Sequence, residues 1–279
     1  MDVFFIVLGI ALGALLLVLA LCLFLIAPSG KMRGEMERYR SEKFAHRGLH
    51  DATRAENSMS AFAAAVSAGY GIELDVRLTR DGEVVVFHDD TLERVAGVCG
   101  RVDSYTLAEL REMRLLGTAD TIPTFREVLD LVGGRVPLLV EIKEEVFKYD
   151  VTEAVAKMLR DYEGEYIVES FNPLALVRFR SLVPGVPCGL LCDNYLTQKK
   201  YRKPMYFIVQ FMLFNVRCRP DFIAFNHLGW RNSSLLLIRA FFRKTPLICW
   251  TVKSAEEEAE AKKHGFTGII FEGYNIERN

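Results

Sequence analysis

Eight short apolar runs alternate with helical patterns along residues 43–279. This alternation is typical of βα units and of a parallel sheet. The predicted strands are 44–46, 71–76, 137–142, 166–170, 188–191, 221–226, 247–252 and 268–271, and the predicted helices are 57–68, 124–132, 150–160, 173–181, 198–216, 232–242 and 255–264. Since α/β barrels have roughly 250 residues, a chain of 279 residues with this pattern favours a TIM (β/α)8 barrel over an open sheet.

An uncharged apolar segment, "VFFIVLGIALGALLLVLALCLFLIA", precedes this domain at residues 3–27. A helix that crosses a membrane needs about 20 such residues. Asp2 is the only charged residue before Lys31, whereas a cleaved signal peptide begins with a basic region. We therefore predict that residues 1–30 are a transmembrane anchor and that residues 31–42 are a basic linker to the domain at 43–279.

The charges beside the anchor predict its orientation. Basic residues follow the span, at Lys31, Arg33, Arg38, Arg40 and Lys43. By the positive-inside rule this side faces the cytoplasm, so we expect a single-pass protein of the cell membrane whose domain at 43–279 is cytoplasmic. Gly9 and Gly13 form a GxxxG pattern that could join two anchors in a homo-oligomer, although this spacing also arises by chance in so apolar a helix.

The composition limits the classes of partner. A formal net charge of -1 and a pI near 6.5 give no bias toward nucleic acid, so any electrostatic partner must be recognised locally. The six cysteines have neither CxxC nor another metal-binding spacing. They indicate free thiols in a reducing compartment.

The second predicted strand carries two acids where apolar residues are expected. In "GIELDVRL", Glu73 and Asp75 share one face, and Ile72, Leu74 and Val76 share the other. If the apolar face packs against helices, both carboxylates point into the barrel, where they repel one another and lose hydration. This predicts a cation between them, which is either a nearby arginine or a bound metal.

A histidine on the next strand is expected beside these acids. If Asp81 and Gly82 are a two-residue type I′ loop, His88 stands directly opposite Asp75 on the hairpin. Cross-strand partners have Cβ atoms roughly 5 Å apart. One extra loop residue would instead turn His88 to the other face.

Further polar residues end other predicted strands. They are His46 and Arg47 in "FAHRG", Glu141 and Lys143 in "VEIK", Asn226 at 221–226, and Trp250 in "CWTVK". Because barrel active sites lie at the carboxyl ends of the strands, we expect these residues to converge. For any single residue a salt bridge or a packing role is the alternative, but the whole set favours a site.

The residue types indicate the chemistry of this site. Three carboxylates, Glu73, Asp75 and Glu141, are hard oxygen ligands that suit Mg²⁺ or Ca²⁺ better than zinc. The histidines then remain available for proton transfer. Arg47 and Lys143 are suited to binding an anionic group such as phosphate.

The sequence resembles the glycerophosphodiester phosphodiesterase family from residue 43 onward. The similarity lies in "HRGLHDATRAENSMSAFAAAVSAGYGIELDVRLTRDGEVVVFHDDTLERVAG", followed in order by "IPTFREVL", "VEIK", "ESFNP", "CGLL" and "CWTVKS". The resemblance implies a TIM-barrel hydrolase with a divalent metal held by Glu73, Asp75 and Glu141. It also implies His46 and His88 as the acid and base, and Arg47 as a phosphate ligand.

The resemblance further implies a two-step reaction, in which a glycerol hydroxyl attacks phosphorus and water opens the resulting cyclic phosphate.

The chain departs from the family at "IIFEGYN", where Glu272 replaces the acid of a Thr-Asp dipeptide, and at Lys253, where the family has Asn. The insertion after the hairpin is short, at 91–122. We predict that it is a lid whose helix begins at the N-cap Thr106.

Residues 196–219 are the least barrel-like part of the domain. The apolar stretch 205–216 has basic flanks, at Lys199, Lys200, Arg202, Lys203, Arg217 and Arg219. At twelve residues it is too short to span a bilayer, and it fits an interfacial element that binds anionic lipid. The alternative is an enlarged, buried barrel helix. With the anchor, this element favours a lipid-derived phosphodiester substrate, cleaved as by a lysophospholipase D.

Two rival functions remain open from the sequence. One is a phospholipase C-like or sphingomyelinase D-like phosphodiesterase, because related barrels with paired histidines and a metal serve both. The hairpin motif followed by "EIK" favours the glycerophosphodiester family instead. The other is an inactive, membrane-anchored protein that binds lipid phosphates, which retention of the acids and both histidines argues against.

Overall fold

The computed structural model describes residues 2–197 and 204–274. Its helices are α1 (Asp2–Ile26), α2 (Arg33–Glu37), α3 (Met59–Ala68), α4 (Glu93–Ala96), α5 (Leu107–Arg111), α6 (Phe125–Val132), α7 (Asp150–Arg160), α8 (Pro173–Leu182), α9 (Pro204–Gln210), α10 (Asn215–Cys218), α11 (Ser233–Phe241) and α12 (Ala255–Lys263). Its strands are β1 (Lys43–Ala45), β2 (Gly71–Leu78), β3 (Val84–Val86), β4 (Leu138–Ile142), β5 (Tyr166–Ser170), β6 (Cys188–Cys192), β7 (Phe222–Asn226), β8 (Leu247–Val252) and β9 (Gly268–Phe271).

Within these residues, eight parallel strands close into a barrel. β1 pairs with β2 on one side and with β9 on the other, and the ring continues from β2 through β4, β5, β6, β7 and β8 to β9. The ninth strand, β3, is antiparallel and pairs with β2 outside the ring. The predicted TIM-barrel fold is confirmed, and its strands lie within two residues of the predicted bounds.

The inside of the barrel is layered along the strands. An apolar layer fills the amino-terminal end with Phe44, Leu139, Ile167, Phe222, Ala224, Ile248 and Ile270. Because strand residues two apart share a face, the next inward positions on β4 and β5 are Glu141 and Glu169, and both are buried. The barrel therefore has an apolar base and an acidic layer above it, toward the carboxyl ends of the strands.

The face of β2 that the sequence predicted is confirmed. Ile72, Leu74 and Val76 are buried in the outer core, between the sheet and the surrounding helices. Glu73 and Asp75 alternate with them and lie inside the barrel, at 2% and 1% exposure. The two carboxylates are thus held in the lumen by the burial of their apolar neighbours.

The β2–β3 hairpin differs from the prediction by one residue of register. Val76 pairs with Val86, so the loop has three residues instead of two. The predicted pairing of Asp75 with His88 was therefore wrong, and it is Phe87 whose backbone N–H donates to the Asp75 carbonyl, at 2.9 Å. His88 follows the end of β3, where the strand alternation no longer fixes its side, and it still faces the barrel interior.

Residues 91–122, the predicted lid, pack beside the hairpin. Leu92 and Leu110 are buried with Phe87 in a small apolar cluster. Thr106 caps α5 in a capping box with Glu109, as predicted. The segment is therefore anchored to the hairpin, and its action as a lid remains a prediction.

The predicted linker 31–42 packs against the base of the barrel. Met36 and Tyr39 are buried with Phe44 in the apolar base layer. Packing of the barrel thus begins before residue 43, and this segment closes the amino-terminal end of the lumen.

Helix α1 is long and apolar enough to cross a membrane, over Val3–Ile26. Its last turn is docked on the barrel, because the Asn215 side chain donates to the Ile26 carbonyl at 2.8 Å. The Arg219 guanidinium donates to the carbonyls of Phe24 and Ala27, at 3.2 and 3.1 Å. These donors satisfy carbonyls that a helix end leaves unpaired.

The described part of the predicted interfacial element comprises α9 and α10 instead of one helix over 198–216. Met205, Phe207 and Ile208 are exposed on α9, whereas Met212 and Cys218 are buried. One side of this segment therefore packs on the barrel and the other presents apolar groups. Four of its predicted basic residues lie outside the described residues, namely Lys199, Lys200, Arg202 and Lys203.

Candidate active site

Three acids converge at the carboxyl end of the barrel. Glu73 and Asp75 come from β2 and Glu141 from the neighbouring β4, where Asp75 and Glu141 are paired positions. All three are buried, and one carboxylate oxygen from each lies within 4.8 Å of the others. We call these three residues the carboxylate cluster.

Two cations line the carboxylate cluster. Lys143 Nζ lies 2.6 Å from Glu141 and 3.0 Å from Asp75. The Arg47 guanidinium lies 3.6 Å from Asp75, and the Arg47 backbone N–H donates to Glu73 at 3.0 Å. Arg47 makes this last contact with a left-handed backbone, whose φ is 55°.

A fourth buried acid adjoins the cluster and was missed by the sequence analysis. Glu169 on β5 is paired with Glu141 in the sheet, and its Oε2 is buried without a hydrogen-bond partner among the described residues. A single acid in "YIVES" lacks the second acid two residues away that marked Glu73 and Asp75. The signal that could have identified Glu169 was its inward-facing position on a predicted barrel strand.

The burial of these acids shifts their pKa values. Desolvation, together with the neighbouring carboxylates, raises the pKa of Glu73 and of Glu169 well above the usual range, and it raises the pKa of Glu141 to about 7. Burial alone would also raise the pKa of Asp75, but Lys143 and other nearby cationic groups hold it well below its usual value. The excess of acids over cations thus favours uptake of positive charge, as protons or as a metal ion.

Each of the two predicted catalytic histidines has a carboxylate partner. His46 Nδ1 lies 2.8 Å from Glu272, and His88 Nδ1 lies 2.5 Å from Asp89. A neutral imidazole that donates from Nδ1 presents Nε2 as an acceptor, and His46 Nε2 lies 4.0 Å from Glu73. Desolvation lowers the pKa of His46, and it lowers the pKa of His88 to about 4.

A cavity of about 830 Å³ opens above the acidic layer. His46, Arg47, Glu73, His88, Glu141, Glu169 and Trp250 line its polar floor. Its walls are mainly apolar, with Val146, Phe147, Leu174, Met205, Ile208, Val209 and Phe214, and they also carry Glu144, Asn172 and Asp193. Polar groups converge at the bottom and apolar groups surround the opening.

The other predicted site residues fall into two groups. Trp250 lines the cavity in edge contact with Phe171. Lys143 contacts the carboxylate cluster from outside the set of described residues that line this cavity. Asn226 is not among the described residues that line this cavity. Its side-chain oxygen accepts the Leu228 backbone N–H at 3.0 Å. The lining also contains no residue from 91–122.

The closed barrel, with its polar groups at the carboxyl ends of the strands, defines a TIM-barrel enzyme. The sequence profile of the "Glycerophosphoryl diester phosphodiesterase family" matches residues 46–274. The chain belongs to this family. It is a glycerophosphodiester phosphodiesterase by its relatives, and the family is generally dependent on divalent metals.

Individual relatives agree with this assignment. The chain is 36% identical over 242 residues to a glycerophosphodiester phosphodiesterase of Caldanaerobacter subterraneus, covering 81% of this chain and 91% of the relative. A crystal structure of a Thermotoga maritima glycerophosphodiester phosphodiesterase is similar at a TM-score of 0.64 and 28% identity, covering 82% and 93% of the two chains. An Oleispira antarctica phosphodiesterase, solved in complex with the product sn-glycerol-3-phosphate, shares the fold at a TM-score of 0.69 and 21% identity, covering 83% and 92%.

The residues of the carboxylate cluster fit a divalent cation. They offer three oxygen ligands within 4.8 Å of one another, and hard oxygen donors are what Mg²⁺ and Ca²⁺ prefer. Four buried carboxylates, counting Glu169, adjoin only two cations among the described residues, the partly buried Arg47 and Lys143. A divalent ion would balance this excess of negative charge.

Proposed function

We propose that this chain cleaves glycerophosphodiesters at a membrane surface, with a divalent metal at Glu73, Asp75 and Glu141 and with His46 and His88 as acid and base. The observation that carries the proposal is the presence of both histidines on the floor of one cavity, together with Glu73 and Glu141 of the carboxylate cluster. The metal is Mg²⁺ or Ca²⁺, and when bound it neutralises charge on the phosphate oxygens.

The side chains support a two-step reaction. One histidine Nε2 accepts the proton of a glycerol hydroxyl as its oxygen bonds to phosphorus, and the other histidine protonates the alcohol that leaves as its P–O bond breaks. Water then opens the cyclic phosphate with the proton transfers reversed. Arg47 lines the floor, where its guanidinium is suited to a phosphate oxygen. Lys143 holds Asp75 and Glu141 in place.

We further propose that the substrate is lipid-derived, such as a lysophospholipid, which would yield lysophosphatidic acid. Apolar walls surround the polar floor of the cavity, and Phe147 at its rim is 80% exposed. An acyl chain fits these walls, whereas a deacylated diester would leave them in contact with water. A lysophospholipid also keeps one free glycerol hydroxyl for the first step.

The docking of α1 supports action at the membrane. About 20 residues are needed to cross the hydrocarbon layer, and the membrane helix is Val3–Ile26. Since Ile26 is already buried against the barrel, few residues separate the bilayer from α10. The neighbouring α9, with Phe207 and Ile208 exposed, is then close enough to enter the headgroup layer. The positive-inside rule places this domain in the cytoplasm.

We expect the full-length protein in lipid vesicles to cleave lysophosphatidylcholine faster than glycerophosphocholine, because only the lysolipid uses the apolar walls. Release of choline is measured with Mg²⁺, with Ca²⁺ and with EDTA. A diacyl phosphatidylcholine, which has no free glycerol hydroxyl, should release none. Equal rates for the acylated and deacylated substrates, in vesicles and in detergent, would contradict the lipid proposal while leaving the phosphodiesterase activity intact.

The pKa of Glu141, raised to about 7 by burial, predicts that metal binding is coupled to pH. Below about pH 7 the Glu141 carboxyl of the metal-free folded protein stays protonated. The same carboxyl in the unfolded chain loses its proton near pH 4.5. The stability contributed by the protonated carboxyl is therefore lost as the pH rises toward 7. Metal must displace the proton, so the increase in Tm on adding Mg²⁺ or Ca²⁺ should be large at pH 8 and small at pH 6.

Thermal unfolding of the detergent-solubilised protein, with metal and with EDTA, measures this increase at each pH. A Glu141→Gln variant lacks one of the three proposed ligands, so it should lose most of the metal-induced increase in Tm at pH 8. The Tm of the same variant in EDTA at each pH shows how much of the pH dependence comes from protons on other groups, including the histidines. A metal-induced increase that is equal at pH 6 and pH 8 would contradict the proposed ligand.

A further inference from the structure

We propose that His46, His50 and Glu272 form a second metal site, selective for zinc, whose occupation inhibits the enzyme. One potential ligand atom from each residue lies within 4.8 Å of the others. Two imidazoles and one carboxylate are a donor set that zinc binds, whereas Mg²⁺ and Ca²⁺ prefer the all-oxygen carboxylate cluster. The two sites therefore differ in the metal that they select.

The turn after β1 brings the two histidines together. Gly48, between them, has φ of +81°, and a Cβ at this position would lie 3.0 Å from Ala61 and from the Phe62 ring. Its backbone N–H donates to the Ala45 carbonyl at 3.1 Å. This tight turn reverses the chain, so that His50 lies beside Glu272 at the end of β9.

The state of His50 is the second observation that supports a ligand. Its Nε2 is buried and has no hydrogen-bond partner among the described residues. A buried imidazole nitrogen without a partner is unfavourable, and coordination of a metal would satisfy it. All three residues are partly exposed to solvent, which gives a metal ion access.

Small movements would complete the site. His46 Nδ1 and Glu272 are 2.8 Å apart, which is closer than two ligands of one zinc ion, so a side-chain rotation must separate them slightly. Lys253 contacts Glu272 at 3.3 Å, but its side chain is 62% exposed and can move into solvent. Water supplies the fourth ligand, as in other zinc sites with three protein ligands.

Inhibition follows from the chemistry of imidazole. A neutral ring has one nitrogen that carries a proton and one with a free lone pair. Once that lone pair binds zinc, whichever nitrogen is used, His46 has no atom left to accept a proton. This consequence rests on the role proposed for His46, whereas the binding of zinc does not.

The test compares wild-type protein with His50→Gln and with the control His264→Gln, all full-length in detergent and saturated with Mg²⁺. His264 lies outside the cavity, stacked on Trp230. We expect zinc to inhibit wild-type protein and the His264 variant alike. His50→Gln should retain its activity with Mg²⁺ and require at least ~100-fold more zinc, because loss of an outer-shell contact alone costs roughly 10–100-fold in metal affinity.

Binding is measured separately with Co²⁺ in place of zinc. Four-coordinate Co²⁺ with imidazole ligands absorbs strongly in the visible range, whereas Co²⁺ on carboxylates and water absorbs weakly. The strong band should appear in wild-type protein and be absent from His50→Gln. Its absence from wild-type protein overturns the site, and its presence without inhibition overturns the inhibitory role.

A measurement on wild-type protein keeps the proposal testable if His50→Gln does not fold. Excess Mg²⁺ should not relieve the zinc inhibition, because the two ions occupy different ligands. Relief in proportion to the Mg²⁺ concentration would show that zinc acts at the carboxylate cluster, and it would overturn the proposal.

Discussion

His46→Ala and His88→Ala are each expected to lower kcat by about 10²- to 10⁴-fold, the usual contribution of a general acid or base. Both side chains line the floor of the cavity, and each is oriented by a carboxylate on its Nδ1. The steady-state rates of the full-length variants in vesicles, with saturating metal, measure the effect. His264→Ala, outside the cavity, should retain the wild-type rate.

A second substrate separates the two roles. A glycerophosphodiester whose leaving alcohol is a nitrophenol needs little protonation as it departs. The variant that lacks the general acid should therefore recover most of its lost rate with this substrate, and the variant that lacks the base should not. Retention of activity within about tenfold of wild type by both variants would contradict acid and base catalysis by these histidines.

The acidic layer was predictable because strand geometry is regular. In "GIELDVRL" the apolar residues alternate with Glu73 and Asp75, and burial of one face forces the other inward. The same rule places Glu141 above Leu139 on β4. Glu169 obeys the rule as well, but a lone acid in a short strand gives no pattern, so its position became clear only from the closed sheet.

The surroundings of the histidines were not predictable in the same way. The register of the β2–β3 hairpin depends on a single loop residue, so the expected pairing of His88 was wrong even though His88 does line the cavity. Glu272 meets His46 because β9 closes the barrel against β1, a contact between residues 226 positions apart. Such contacts depend on closure of the barrel, which local patterns do not specify.

The linker and the anchor show a different limit of prediction from sequence. The basic composition of 31–42 hid Met36 and Tyr39, which fill the base of the barrel. Likewise, the apolar pattern of α1 predicted a membrane helix, but the hydrogen bonds from Asn215 and Arg219 to its last turn join segments far apart in sequence. The composition was enough to identify these segments, whereas their contacts can be seen only in the folded structure.

Glu73→Gln should abolish metal-dependent activity, with a fall in kcat of roughly 10³-fold or more, because a metal ion contributes several kcal/mol of charge stabilisation in the transition state. Metal at 100 times its Kd stabilises a protein by about 2.7 kcal/mol, which corresponds to an increase in Tm of ~5–10 °C for a domain of this size. The variant should lose most of this increase. Activity and thermal unfolding of the solubilised protein, with and without EDTA, measure both effects.

The metal-free state supplies the control for folding. Removing one of several buried, mutually repelling carboxylates should leave Glu73→Gln at least as stable in EDTA as wild type, since desolvation and Asp75 raise the pKa of Glu73 well above its usual range.

Glu145→Gln, at an exposed position, should keep the metal-induced increase in Tm. Glu169→Gln should keep it too, because Glu169 lies outside the three carboxylates whose oxygens converge within 4.8 Å. Loss of the increase in Glu169→Gln would instead make Glu169 a fourth ligand, and its persistence in Glu73→Gln would remove Glu73 from the metal site.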